Sequence, residues 1–192
     1  MNPSRWGATR GRAGSCYDCH ITHGDKMVNP GELLINVVIG DKRLECLVCR
    51  KHRGEFAVPG GAIYEDDLIY VSHAQLWGNE TSHYLGHVFV EPKRHVAELA
   101  DLTAEEAQAI GLYTSKLARA LMQTEGVEHV YSFVIGDGVP HVHVHVIGRY
   151  PGAPREYWGP KVDEWPEAPK GKEAEIVQVS TRLRAFLREH QG

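Results

Sequence analysis

The 192-residue chain has no uninterrupted apolar run approaching the roughly 18 residues that a membrane-spanning helix needs. It also lacks a basic excess. Lys and Arg number 21 against 25 Asp and Glu, a formal net charge of −4. Electrostatics therefore gives no reason to expect nucleic-acid wrapping, although a local phosphate site stays open. No Gly-rich P-loop occurs, which argues against a kinase-type phosphate cradle. The stretch from Met1 to Gly14 is polar and basic without the apolar centre of a signal peptide, so a cytoplasmic location is expected. Cysteine is scarce as well. The four present form two C-x-x-C pairs, Cys16/Cys19 and Cys46/Cys49. Without an export signal, that spacing points to metal or redox chemistry before structural disulfides. Cys16-Tyr17-Asp18-Cys19-His20 also fits the haem-attachment pattern, but haem attachment requires export.

Histidine, by contrast, is plentiful: the chain has 12, and three of them alternate with valine in Pro140-His141-Val142-His143-Val144-His145-Val146-Ile147-Gly148. A side-chain period of two predicts a strand with all three imidazoles on one face and β-branched valines on a buried reverse face. A solvated face that merely carries histidine is one reading. A three-histidine metal site is another, but consecutive same-face positions on one strand reach poorly around one ion. Nucleophilic and acid–base chemistry is the third, with a neutral ring attacking and its neighbours holding or delivering protons.

Elsewhere the chain reads as alternating short strands and two helices. Leu33–Ile39 and Arg43–Leu47 are strand candidates around a Gly40-Asp41 turn, followed by the Cys46/Cys49 knuckle and His52. Ile63-Tyr64-Glu65-Asp66 leads into an apolar strand through Val71, and the stretch Leu85–His95 holds a further strand. Thr103-Ala104-Glu105-Glu106 is a capping box. The helix behind it carries Ala107, Ile110, Thr114, Leu117 and Leu121 on one stripe, with Gly111 allowing close packing and Gly126 as the stop. A strand over His129–Ile135 follows, and the chain closes with a helix whose apolar face is Ile176, Val179, Leu183, Phe186 and Leu187. Together these predict an α+β fold built on an antiparallel sheet.

The histidine row resembles the signature of the histidine-triad (HIT) superfamily, which His141, His143, His145, Val146 and Ile147 fit without a gap. Gly86-His87 and the strand ending in Pro92-Lys93-Arg94-His95 resemble that family's central strand, and Tyr64-Glu65-Asp66 its preceding segment. The resemblance covers about residues 46–160. It implies the HIT-like fold, here residues 45–192 behind a variable extension of 1–44, and commonly a homodimer; residues 1–30, which hold no element of the family, are expected to be dispensable for activity. It implies a nucleotide substrate, either a dinucleoside polyphosphate or a nucleoside phosphoramidate, attacked at the α-phosphate. His143 would be the nucleophile, with His145 donating to a phosphoryl oxygen and His141 orienting the row. It further implies a structural zinc held by Cys46, Cys49, His95 and His141, with His52 or His87 as substitutes. The competing set is a ribbon of Cys16, Cys19, Cys46 and Cys49. His87 and His73 fall at substrate-binding positions, and Arg155 and Trp158 at a loop that would cover the pocket.

Two departures stand out. His73 occupies the place where the family usually sets an Asp or Asn on the ribose. Asp137-Gly138-Val139-Pro140 also replaces the usual Gln followed by Ser or Thr before the triad. They motivate a second reading, a zinc-stabilised nucleotide-binding protein without turnover. A redox protein using either cysteine pair is the third.

Overall fold

The computed structural model describes residues 46–190 apart from Trp77. The expected extension, with Cys16, Cys19 and the strand at 33–39, lies outside those residues. Leu47, expected to end a strand, instead opens a short helix, α1 (Leu47–His52). The next elements are β1 (Tyr64–Glu65) and β2 (Ile69–His73), then β3 (His83–Tyr84) and β4 (His87–Pro92). The chain continues through α2 (Ala104–Thr124), β5 (His129–Phe133) and β6 (Val144–Arg149), and ends with β7 (Lys170–Gly171) and α3 (Glu173–Glu189). Single 3₁₀ turns at Leu99–Asp101 and Arg155–Tyr157 punctuate the loops.

Five strands form one antiparallel sheet in the order β1-β2-β4-β6-β5, and β3 pairs with β7 in a separate two-stranded ribbon. The stretch from Ile63 is a hairpin of β1 and the expected apolar strand, β2. It turns at Asp66, whose carboxylate accepts the Leu68 and Ile69 N–H groups.

Alternation decides the two faces of the sheet. Ile69 and Val71, Val88 and Val90, and Val142, Val144 and Val146 all enter one core cluster, covered by α2 and α3. Helix α2 starts on the capping box, with Thr103 and Glu106 exchanging hydrogen bonds, and buries Ile110, Leu117 and Leu121. Its Gly111 faces open space, so the close packing expected there does not occur. Gly126 ends the helix in the left-handed region at φ 69°, where a Cβ would be strained. Helix α3 buries the whole expected face, Ile176, Val179, Leu183, Phe186 and Leu187. Both helices lie on the valine face, so the opposite face of β2, β4 and β6 is left to hold the polar groups.

Candidate active site and metal cluster

The three histidines of the row do not form one uniform strand face. Strand β6 begins only at Val144, and each ring has a different task. Val142 still hydrogen-bonds to Val96 O at 2.7 Å, so the segment before the strand stays extended and the valines stay in the core.

His141 is completely buried. Its Nε2–H donates to Pro92 O at 2.8 Å, which leaves the Nδ1 lone pair facing the sulfurs of Cys46 and Cys49, each 3.4 Å away. Burial pushes its pKa down to about 4, so the ring is neutral and available as a ligand. His95 Nδ1 lies 3.4 Å from Cys49 Sγ. Cys46 caps α1 and Cys49 sits in its first turn, so the i, i+3 spacing turns both thiols to one side. The four donor atoms lie within 4.8 Å of one another. Tetrahedral zinc with bonds of about 2.3 Å to sulfur and 2.0–2.1 Å to nitrogen needs S···N edges of roughly 3.5 Å. The contacts match that spacing, and the carbonyl on the far nitrogen of His141 is the usual support for a metal-bound imidazole. Of the possible substitutes, His52 turns instead to Glu91, and His87 to His145.

His143 Nδ1–H donates to His141 O at 2.7 Å. This sets the tautomer and leaves Nε2 with its lone pair. The residue lines a cavity of about 290 Å³ whose walls include Leu47, Val48, Phe89 and Val139. His145 stacks on Phe133 and meets the edge of Phe89, with ring centroids 4.7 and 4.8 Å apart. Its Nδ1 lies 2.9 Å from His87 Nε2, and its Nε2 is buried with no partner among the described residues. Burial, then the neighbouring His143, lowers its pKa to about 4. His87 therefore stands behind His145. Burial holds it well below the ordinary histidine range.

His73 borders the cavity, yet both of its nitrogens are occupied. Nδ1–H donates to Ala74 O at 2.6 Å, and the Gly86 N–H donates to Nε2 at 3.0 Å. The cause is parity: His73 shares the face of Ile69 and Val71, not that of Tyr70 and Ser72. Trp158 lies under the Arg149 guanidinium at 3.8 Å, with Arg155 at 5.9 Å, and neither Trp158 nor Arg155 borders the cavity beside His143.

Sequence reasoning passed over three groups that do border it, namely Lys51, Glu91 and Gln75. Lys51 and Glu91 are 8% and 2% exposed and pair at 2.6 Å, with His52 Nε2 3.0 Å from the same carboxylate. Burial alone would raise the Glu91 pKa, but Lys51 and His52 outweigh it and hold the carboxyl below its ordinary value. The available signal was Glu91 itself, a charge on an apolar strand that demands a buried partner of opposite sign. Gln75 reaches the cavity from another segment, with its Oε1 buried and without a partner among the described residues.

Comparison with known proteins identifies the family and the fold. The HIT domain matches residues 55–152. The nitrilase and fragile histidine triad fusion protein NitFhit of Caenorhabditis elegans is 36% identical over 72 residues, which are 35% of this chain and 16% of the fusion. The chain thus spans less than a fifth of that relative's length. A zinc-bound histidine triad family protein from Mycobacterium smegmatis superposes with a TM-score of 0.57 at 19% identity, covering 78% of this chain and 97% of that one. A hypothetical histidine triad nucleotide-binding protein from Sulfolobus tokodaii gives 0.58 at 15% identity, covering 75% and 93%. At those identities the structures speak for the fold.

Proposed function

We propose that this chain, which belongs to the HIT domain family, is a nucleotide hydrolase or nucleotidyl transferase acting at the α-phosphate of a nucleoside monophosphate conjugate. The observation that carries the reading is the His143 tautomer. Its Nδ1–H is committed to His141 O, so Nε2 presents a lone pair on a residue lining the apolar-walled cavity. Nε2 attacks phosphorus and the bond to the leaving group breaks, giving a nucleotidyl-histidine. Water then opens the phosphorus–nitrogen bond and regenerates the imidazole. His145 supplies the proton that the leaving group takes up.

Cys46, Cys49, His95 and His141 would hold the zinc, whose contribution is structural. Fixing the His141 ring also fixes the carbonyl that orients His143. Dinucleoside polyphosphates and nucleoside phosphoramidates are the proposed substrates, and a cytoplasmic homodimer is the proposed form. Among the described residues no helix is long and apolar enough to cross a membrane.

A specific observation favours the second reading, nucleotide binding without turnover: His73 has no nitrogen left for a ribose hydroxyl. A panel of both substrate types, with intact-protein mass after rapid quench, separates the two. Release of a nucleoside monophosphate through an adduct on the native chain supports the hydrolase. Binding without adduct or release overturns it.

A further inference from the structure

Behind the reaction centre lies a line of imidazoles that the mechanism above does not use in full. His145 Nδ1 is 2.9 Å from His87 Nε2, His87 Nδ1 is 3.4 Å from His83 Nε2, and His83 Nδ1 is 3.8 Å from the Glu80 carboxylate. Exposure rises from His87 outward. His145 is partly buried and walled by Phe89 and Phe133, and His87 is buried. The His83 side chain is 18% exposed and Glu80 is 49% exposed. His83 stands on β3, outside the main sheet.

We propose that His87 and His83 relay protons between His145 and solvent, with His83 as the positioning residue at the outer end. The use of the proton rests on the nucleotidyl-transfer reading; the relay itself does not. Each ring is neutral, because burial lowers all three histidines from their ordinary value. Glu80 and Asp163 only partly counter this at His83, and Lys170 adds to it. A neutral imidazole has one donor and one acceptor nitrogen, which is what head-to-tail transfer needs.

The proton count closes over both half-reactions. In the first, the bond from phosphorus to the leaving group breaks as His145 Nε2–H protonates the departing atom. The His87 Nε2 proton moves to His145 Nδ1, the His83 Nε2 proton moves to His87 Nδ1, and His83 Nδ1 takes one from water. All three rings have now switched tautomer. In the second half-reaction, water attacking the adduct loses a proton to the bare His145 Nε2. One proton then passes out along the line, and His83 Nδ1 returns one to solvent. Hydrolysis of the adduct therefore resets the relay.

Two experiments test it. The first needs no substrate: exchange of the His87 and His145 ring N–H hydrogens with water, followed by NMR on ¹⁵N-histidine protein. His83→Phe, with His83→Gln as a second variant, should slow that exchange about tenfold or more, a conservative fraction of the 10²–10⁴ that positioned proton transfer contributes. Unchanged or faster exchange overturns the relay, since a merely structural His83 would loosen the site when removed. The second uses turnover. His83→Ala should lower kcat for a conjugate with an alkylamine leaving group and spare KM. It should leave the first-turnover burst of a nitrophenolate leaving group, which departs without a proton, nearly unaffected, and added imidazole should restore the alkylamine loss. Equal losses on both substrates, or no rescue while the thermal midpoint is unchanged, also overturn it. A native chain that turns over neither substrate defeats the hydrolase reading instead, and the exchange rates still decide the relay.

Discussion

Replacing Lys51 with Met is the most informative perturbation of the cavity floor. Met nearly preserves the length and volume of the side chain, and it keeps the apolar contact with Tyr70 and Phe89, whose centroids lie 5.6 and 5.7 Å from Nζ. It removes the ammonium 2.6 Å from Glu91 and leaves a carboxylate that is 2% exposed. Stranding one partner of a buried pair typically costs 3–5 kcal/mol. His52 remains 3.0 Å from Glu91 as a partial partner, so the lower end, about 3 kcal/mol, applies. For a domain of this size that corresponds to a fall of roughly 6–12 °C in Tm.

The pH dependence has a definite sign. Glu91 is held below its ordinary value in the folded protein, so its stabilisation is present at neutral pH and is lost as pH falls through the folded pKa. In Lys51→Met the charged carboxylate becomes a liability. The deficit relative to native should be largest near neutrality and should shrink as acid neutralises Glu91. Urea unfolding at neutral and mildly acidic pH measures this, and Lys51→Met/Glu91→Leu should recover most of the loss. A single variant within about 0.5 kcal/mol of native at neutral pH, the range of an ordinary surface substitution, would refute the reasoning.

Three further outcomes are expected. His143→Ala should abolish the nucleotidyl adduct and nearly all turnover while zinc content stays normal, read by intact mass and metal analysis; an adduct persisting in the variant removes His143 as the nucleophile. Cys46→Ser should release the metal and lower the thermal midpoint, because the binding energy of a structural zinc is folding energy; full metal retention would assign the site to other ligands. His73, buried and held at about 4, stays neutral in the folded protein while an unfolded histidine titrates near 6.5. Stability should therefore fall by about 3 kcal/mol through this one ring as pH drops from about 6.5 toward 4. His73→Gln should lack that part of the acid dependence in urea titrations, and an unaltered slope would count against it.

Local periodicity made much of this protein legible from its residues. Alternation in 142–146 put three valines in the core, the Thr103 capping box opened α2, and a 3.6-residue stripe predicted the buried face of α3. The C-x-x-C spacing marked Cys46 and Cys49 as a pair, but the helix α1 that turns both thiols to one side replaced an expected strand. Each of these depends on neighbours a few residues apart, whose relative positions backbone geometry dictates. Tertiary structure decided the rest. His141 leaves the strand to face Cys46 and Cys49, 95 and 92 positions away, and Glu91 finds Lys51 across 40. His73 loses both nitrogens to the backbone because the register of β2 on β4 turns it to the helix side. His83 meets His87 because a ribbon outside the main sheet brings it there. Period and caps determine which way a side chain points. What it meets depends on strand register and loop closure, which follow from burying the whole core at once.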